Sequence, residues 1–377
     1  MIIKKQDEQL LSQTISFLRF PLVVLVVFLH HNVGQGLIVG GANVVDRPHG
    51  MLAFFVSIIS DVFSNVGVPL FFLFSGFLFF YHCDEFNREQ YYKKIKKRLK
   101  SLLLPYLIWN AIALVFALCR FLPIISYFLP NLDEQNIRWS FGGFLNTFWN
   151  MENSVLSHNY IAGDSIYPID QPLWYVRDLM IVMLCSPLIY YMVKAIRYYW
   201  VVLLGVIWLF LDPIKLGHIN QLMTAFLFFS WGAAYSIQSD NFVTRFKRYS
   251  FLPFIYILIA ILDTLTKDYE FNIYIHDIGI IAGIVSFVLV ASFLIEKNIA
   301  KPNALLTSAC FFVYAGHDII LNNVSKLITK LWYTNSQWYL LANYILIPVL
   351  VISFFLGLYA LIRKYSPSLL VPLTGGR

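Results

Sequence analysis

The sequence predicts an all-α integral membrane protein of about ten transmembrane helices, with both termini in the cytoplasm. Apolar residues make up 59% of the 377 residues and charged residues only 13%, whereas a soluble domain carries about 25% charge because its surface faces water. The mean hydropathy is +0.67. Apolar stretches of about 20 residues, the length that crosses a ~30 Å hydrocarbon core, recur along the chain. These observations exclude a soluble globular protein.

The apolar stretches form a single membrane domain over residues 1–377, with no visible internal repeat. The second stretch is long enough to include an interfacial turn, and the fifth is short for a span. The longest connection, residues 122–172, carries His158 and Asp164, and it either covers a substrate site or is a solvated loop. The spans are predicted near residues 15–32, 51–81, 101–121, 173–192, 199–211, 220–237, 250–265, 277–295, 305–322 and 339–362.

The distribution of Lys and Arg predicts the orientation. With the N-terminus inside, nineteen of these residues lie in inner segments and six in outer segments, which is the positive-inside pattern. The net charge of +7 is therefore attributed to cytoplasmic loops that contact membrane lipids. No nucleic-acid partner is expected. The four cysteines show no paired spacing, so neither a disulfide framework nor a metal site is predicted.

The first span combines an arginine and two histidines with a long apolar run. Arg19 and His30 are eleven residues apart, about three helical turns or ~16 Å, and eleven steps of ~100° return to the same helix face. His31 points elsewhere. An ionisable group within the bilayer costs about 2.5–3.5 kcal/mol on insertion scales, so it needs a function or a partner. The alternative is a snorkelling arginine with an interfacial histidine.

Other polar residues also fall inside predicted spans. Asp61 lies near the middle of the second span and must face the protein interior or water. Arg177 lies just inside the fourth span, after Trp174, and needs a partner on another element. His317, in the ninth span, is either an interfacial histidine or part of an active site. In the second span Ser75-Gly76 predicts close helix packing.

A basic segment precedes the third span. Its sequence, Lys93-Lys94-Ile95-Lys96-Lys97-Arg98-Leu99-Lys100, places cations just ahead of a predicted helix N-terminus. Such a terminus attracts phosphate groups. A lysine cluster also sets topology and contacts anionic headgroups, and this alternative is equally compatible with the sequence.

Taken in order, these elements resemble the bacterial membrane acyltransferase-3 family, whose members O-acetylate cell-surface polysaccharides, lipopolysaccharide or peptidoglycan. The arginine followed eleven residues later by histidine is the most diagnostic element. The matching elements span nearly the whole chain: Arg19 with His30, the segment 69–76, the basic segment with Pro105-Tyr106, Trp174 with Arg177, and Tyr314 with His317.

The resemblance implies a cytoplasmic acetyl-coenzyme A donor and a glycan or lipid-linked sugar acceptor outside the inner (cytoplasmic) membrane of a bacterium. It implies catalytic roles for His30 and Arg19, to which we add Asp61 as an orienting or charge-balancing group. The donor-binding prediction comprises Lys94, Lys97, Arg98 and Lys100, and the acceptor-binding prediction comprises Trp174, Arg177 and His317.

Two points keep the interpretation open. The family often carries two arginines three residues apart in the basic segment, whereas Ser101 follows Arg98 at that spacing here, and lysine lacks the bidentate fork of arginine. A proton-coupled transporter or flippase would use Asp61, Arg177 and His317 as a relay. Against it, the sequence shows no pair of matching halves with broken helices.

Overall fold

A computed structural model describes residues 2–31, 33, 37–39, 42–44, 48–83, 85–122, 137, 139–156, 166–332, 334 and 336–376. Within these residues the chain is almost entirely helical. Two short strands, β1 (Leu37–Val39) and β2 (Ala42–Val44), pair antiparallel with Leu37 opposite Val44. His158 and Asp164 lie outside the described residues. The all-helical membrane class predicted from composition therefore holds for the described chain, apart from this short strand pair.

The helices of the first half include the two that carry the polar residues of the first span and the basic segment. They are α1 (Ile2–His30), α2 (Gly50–Val56), α3 (Gly67–Phe80), α4 (Arg88–Cys119), α5 (Phe141–Thr147), α6 (Trp174–Leu184) and α7 (Ser186–Ile196). The second half contains α8 (Tyr199–Leu211), α9 (His218–Ile237), α10 (Phe242–Phe246), α11 (Leu252–Leu265), α12 (Asn272–Glu296), α13 (Ala304–Leu331), α14 (Gln337–Tyr365) and α15 (Leu370–Thr374).

Among the described residues, six helices are long and apolar enough to cross a membrane, and the number rises to eight if two bent helix pairs each count as one span. The protein is therefore a multi-pass membrane protein. Helix α8, at 13 residues, is short for a span of ~30 Å at 1.5 Å per residue. Helix α9 has 20 residues but is not among the six.

Both bends follow from proline chemistry. The fourth predicted span is not one straight helix, because α6 and α7 meet at an angle of 62° around Cys185. Pro187 sits at the start of α7, where a proline fits the first turn but disfavours helix in the residue before it. Pro253 begins α11 in the same way, and the turn before it bends by 74°. The chain thus contains two bent helix pairs, but bent pairs by themselves do not make the matching halves that the sequence lacks.

The second span is continuous but irregular. Between α2 and α3 the chain forms a π-helical segment, Ser57–Phe63, and a 3-10 turn, Ser64–Val66, where an interfacial turn was predicted. The Ser64 hydroxyl donates to the carbonyl oxygen of Ile59 at 2.7 Å. π-Helical segments arise where one extra residue is inserted into the ladder, and this one contains Asp61.

The chain divides into two compact units. Unit 1 comprises Met1–Val26, Ser57–Arg98 and Asp178–Cys310, and unit 2 comprises Val27–Val56, Leu99–Arg177 and Phe311–Arg377. In unit 1, α3 and α9 pack closely because each offers a glycine to the backbone of the other. A methyl group on Gly76 would clash with the Phe229 carbonyl, and one on Gly232 with the Leu73 carbonyl. The packing role predicted for Ser75-Gly76 is confirmed for the glycine.

In unit 2 the residues after α5 are folded onto α4. The Tyr106 hydroxyl donates to the Phe148 carbonyl, and Met151 and Val155 are buried against Ala113 and Ala117 in an apolar cluster. The described parts of the long connection, 139–156 and 166–172, are therefore partly packed against the protein: Met151 and Val155 are buried, whereas Trp139 and Phe141 are exposed.

Candidate active site

Two histidines meet in unit 2. His30 is the last residue of α1, and His317 lies in the middle of α13, fully buried. The Nε2 atom of His317 is 3.5 Å from the Nδ1 atom of His30, with ring centroids 5.2 Å apart. His317 is fully buried, so its side chain does not lie on the protein surface. The structure brings together two residues that the sequence assigned to catalysis and to acceptor binding.

The hydrogen bonds around His317 and His30 indicate which ring nitrogen of each residue carries the proton. His317 Nδ1 is 2.6 Å from the carbonyl oxygen of Tyr314, and a carbonyl can only accept, so this nitrogen carries the proton. In a neutral His317, Nε2 then accepts from His30 Nδ1–H. This leaves the lone pair of His30 on Nε2, the nitrogen that can take a proton from another group. The arrangement resembles the orienting partner of a general base in a catalytic triad, without the negative charge.

Backbone contacts hold the pair in place. Asn322, one turn after His317 in α13, donates from Nδ2 to the His30 carbonyl oxygen at 3.1 Å. The Tyr314 hydroxyl donates to the Pro172 carbonyl. These bonds join the end of α1 and the start of α6 to one face of α13. The histidine pair is thus fixed on helices, which position side chains more accurately than loops.

His31 occupies a different environment. Its side chain is buried, its Nε2 lies 3.2 Å from the Asn343 carbonyl oxygen, and its ring stacks on Tyr344. The rotation of about 100° between neighbouring helical residues therefore separates a histidine that faces His317 from one that packs against α14.

Arg177 is fully buried and is bonded to the connection before α6. Its Nη1 donates to the carbonyl oxygens of Trp149 at 2.7 Å and Ile166 at 2.9 Å, and its guanidinium lies 5.6 Å from the Trp149 ring. Trp174, one turn earlier, is half-buried with its ring 6.5 Å from that of Tyr167. Arg177 therefore holds residues 149 and 166 together through their backbone carbonyls.

A cavity of about 120 Å³ opens beside this region, wholly within unit 2. Its floor is apolar, formed by Ala113, Ala117 and Met151 among others. Its polar lining comes from three parts of the chain. Arg120 directly follows α4, Tyr167, Asp170 and Gln171 precede α6, and Asp318 and Asn323 lie in α13. We call this the Asp170 cavity. Sequence reasoning missed it, because none of these residues stands out in a local pattern.

Asp170 is the most unusual group in the cavity. Its side chain is 1% exposed, and within the described parts of the chain neither carboxylate oxygen has a hydrogen-bond partner. Its backbone N–H donates to Asn110 Oδ1 at 3.1 Å, so the fold fixes its main chain without using its carboxyl group. Burial, and secondarily the nearby Asp318 carboxylate, raise the Asp170 pKa well above its ordinary value.

Arg19 and Asp61 belong to unit 1. Helix α1 is continuous over Arg19, which is half-buried, and over His30, as the spacing predicted. The Asp61 carboxylate forms an ion pair with Lys267, and both side chains are partly exposed. Of the two roles considered for Asp61, balancing a cation is the one that the structure shows.

The basic segment differs from its prediction. Helix α4 begins at Arg88 and is capped by Asn87, whose side chain accepts the Gln90 N–H at 2.9 Å. The lysines therefore lie in the second to fourth turns and not at a helix N-terminus. The local sequence concealed this start because lysine and arginine are themselves good helix formers.

The cations of this segment point in different directions. Lys94 is half-buried and donates to the Phe79 carbonyl at 2.5 Å, whereas Lys97 and Lys100 are exposed. Helical spacing places those two lysines on the same face as Leu103 and Leu107, which are more than 40% exposed. Since exposed leucines of a spanning helix face lipid, this face also suits contact with lipid headgroups.

Comparison with known proteins identifies the family. The family model described as "Acyltransferase domain" (acyltransferase-3) matches residues 13–363. The chain belongs to the acyltransferase-3 family. The resemblance carried by Arg19, His30 and the later elements is therefore confirmed.

Among curated proteins, this acyltransferase-3 chain is similar to the succinoglycan biosynthesis protein ExoH of Rhizobium meliloti (strain 1021). The two are 25% identical over 377 residues, covering 97% of this chain and 92% of the relative. No solved structure matches the chain significantly. Membership of an acyltransferase family favours transfer chemistry over the transporter alternative.

The site contains no obvious metal ligand set. Among the described residues, no group of three or more His, Cys, Asp or Glu side chains is arranged to hold a metal ion.

Proposed function

We propose that the protein is a membrane O-acyltransferase that moves an acyl group, acetyl in the simplest case, from acyl-coenzyme A to a hydroxyl group of a glycan. The observation that carries the proposal is the His30–His317 contact of 3.5 Å in a chain of the acyltransferase-3 family. The similarity to a succinoglycan biosynthesis protein supports a cell-surface or lipid-linked glycan as the acceptor.

In the proposed mechanism His30 is the general base. Its Nε2 takes the proton of the acceptor hydroxyl as that oxygen attacks the thioester carbonyl, and the C–S bond breaks to release coenzyme A, whose sulfur receives the proton. His317 is a positioning residue, because it accepts from His30 Nδ1–H and so fixes the tautomer. An acyl-imidazole on His30, formed first and then attacked by the hydroxyl, uses the same nitrogen.

The donor side of the proposal is carried mainly by residues of α1 and α4. Arg19 binds the donor, and Lys97, Arg98 and Lys100 contact the coenzyme A phosphates from the cytoplasmic face. We leave Lys94 out of this set, because it is bonded to the Phe79 carbonyl. Arg177 is likewise assigned to shaping the acceptor side through residues 149 and 166, while Trp174 remains an acceptor-binding candidate.

Transfer is tested with purified protein by measuring thiol release from acetyl-coenzyme A, with and without a glycan acceptor. Acceptor-dependent thiol release that disappears in His30→Asn is expected. Thiol release in the absence of any acylated glycan would identify a hydrolase, and transport of glycan without thiol release would support the transporter alternative.

The proposal also requires a defined orientation: about ten spans in the inner membrane, with both termini in the cytoplasm. Lys96 and Glu152 are exposed and fall on opposite sides in this topology. In variants without the native cysteines, Lys96→Cys is expected to react with impermeant maleimide only from the cytoplasm and Glu152→Cys only from outside. The reverse pattern would overturn the assignment of donor and acceptor sides.

A further inference from the structure

We propose that the Asp170 cavity binds one neutral sugar ring of the acceptor through hydrogen bonds to Asp170, Arg120 and Asp318. This inference rests on the proposed function and deepens it, because it names the groups that recognise the acceptor. None of the three residues is a local sequence signal, and the tertiary structure alone brings them to one cavity.

The first argument is the state of the Asp170 carboxyl group. A buried polar group without a partner costs about 1–3 kcal/mol, so native proteins keep few of them and each needs an explanation. Here the fold uses only the Asp170 backbone, bonded to Asn110, and leaves both carboxylate oxygens without a partner among the described residues. A ligand that donates hydrogen bonds would supply what the chain does not.

The second argument is the chemistry of the opposite wall. Arg120 donates from Nη2 to Asn323 Oδ1 at 3.4 Å, while its Nε is buried without a partner in the described chain. The cavity thus offers a donor directly after α4 and carboxyl groups on the segment before α6 and on α13. A ligand must accept from the first and donate to the second. Hydroxyl groups do both, whereas a phosphate dianion has no hydrogen to donate to the carboxyl oxygens and an acyl chain would satisfy neither Asp170 nor the Arg120 Nε.

The third argument is size and position. The cavity volume of about 120 Å³ is somewhat below the ~150 Å³ of an apolar cavity that accepts benzene, so it takes at most one sugar ring. The lining side chains of Arg120, Tyr167 and Gln171 are partly exposed, which leaves a way in. Asp318 directly follows His317, so the cavity wall and the His30–His317 pair share one turn of α13.

The test measures binding without donor, so that it does not depend on transferase activity. The full chain in detergent is titrated with methyl β-D-glucopyranoside and methyl β-D-galactopyranoside, with sodium acetate and calcium chloride as separate arms, and binding is followed by ligand-observed NMR. We expect at least one glycoside to bind, and Asp170→Asn to weaken this binding by up to about tenfold, the effect of losing one hydrogen bond, because the amide nitrogen of asparagine cannot accept from a sugar hydroxyl.

Two controls separate a binding role from a structural one. Asp263→Asn in unit 1 changes a buried aspartate that already has partners, and is expected to leave glycoside binding unchanged. Ala117→Val narrows the cavity without touching its polar groups, and is expected to weaken binding while the protein still folds, as judged by its thermal midpoint.

Glycoside binding that is insensitive to both Asp170→Asn and Ala117→Val would overturn the inference, as would binding of calcium or acetate in place of the glycosides. The proposed function fails separately. If glycosides bind through Asp170 but no thiol is released from acetyl-coenzyme A, the cavity is a sugar site and the protein is not the proposed transferase. If thiol release is glycan-dependent but Asp170→Asn leaves the acceptor KM unchanged, the transferase stands and the cavity is not its acceptor site.

Discussion

Asp263 in unit 1 and Asp170 in unit 2 are both buried aspartates, but their environments differ. In Asp263, Oδ1 accepts from Asn272 Nδ2 at 2.9 Å, and Oδ2 lies 2.8 Å from His276 Nδ1. Both carboxylate oxygens of Asp170 lack partners within the described residues and face a cavity. The first aspartate is explained by the fold, and the second is not.

The difference shows how buried charge can be interpreted in a membrane protein. A buried ionisable group that is fully hydrogen-bonded links helices, here α11 to α12, and is evidence for structure alone. A buried group that the fold leaves unsatisfied beside a cavity carries a cost that a ligand can offset. This comparison predicts opposite consequences for similar substitutions in the two regions.

The largest effect is expected at His30. His30→Asn is expected to lower the rate of acyl transfer by about 10²–10⁴, the range for loss of a well-placed general base, with little change in thermal stability. His31→Gln is the matched control, because it keeps a donor for the Asn343 carbonyl and is expected to change the rate only slightly. Steady-state kinetics on both variants measure this. Substantial activity in His30→Asn, or an essential His31, would contradict the mechanism.

A smaller loss is expected at His317. His317→Asn removes the group that fixes the His30 tautomer, and we expect a decrease in kcat of about tenfold to a hundredfold, with KM for the donor nearly unchanged. A purely structural role would lower stability without moving the pH dependence of kcat/KM. The pH–rate profile is therefore the deciding measurement: an unshifted profile in a folded variant would show that His317 does not act through His30.

Stability as a function of pH contrasts Asp170 with Asp263. The folded-state pKa of Asp170 is raised, so below the unfolded pKa the carboxyl is neutral in both states and costs nothing. As the pH rises from the unfolded pKa towards the folded pKa, ionisation of the unfolded chain lowers the stability of the fold, and the full loss is present above the folded pKa. At pH 8 the free energy of unfolding of Asp170→Asn is therefore expected to exceed that of the unmodified chain by about 1–3 kcal/mol, so the variant unfolds at a higher temperature. Near pH 4 the two proteins are expected to unfold at the same temperature.

Asp263→Asn, by contrast, is expected to lower the unfolding temperature at pH 8, because it weakens the contact with His276. Thermal unfolding in detergent across this pH range checks both variants. Destabilisation of Asp170→Asn at pH 8 would show that its carboxyl group supports the fold, and the contrast between the two aspartates would disappear.

The smallest effect is expected in the basic segment. Exposed charge pairs contribute about 0.2–1 kcal/mol each, and three contributions of about 0.5 kcal/mol or less change affinity a few-fold to about tenfold. Changing Lys97, Arg98 and Lys100 together to Gln is therefore expected to weaken coenzyme A binding by this factor, more at low salt than at high salt. Lys94→Gln is the control and is expected to leave affinity unchanged. If the triple variant keeps its donor affinity but binds anionic vesicles less well, these side chains contact lipid headgroups.

The sequence by itself determined the membrane class and the family. Hydropathy and charge composition are local properties that decide whether a segment is more stable in lipid or in water, so they need no tertiary information. Arg19 and His30 were found because both lie on one helix, whose period of 3.6 residues relates positions eleven apart. The close packing at Gly76 was predicted for a similar reason, since a residue without a side chain has few other roles within an apolar helix.

Only the tertiary structure decided how the polar residues are partnered. Asp170 and Asp318 lie on different elements and 148 positions apart in the chain, and no local period relates such residues. Arg177 donates to two backbone carbonyls, which have no sequence signature, and the start of α4 at Arg88 was hidden because the lysines that follow favour helix as well as phosphate. Helix geometry relates residues along one element. The Asp170 carboxyl group is unsatisfied because the described elements that pack around it place no hydrogen-bond donor within reach, and this depends on the tertiary structure.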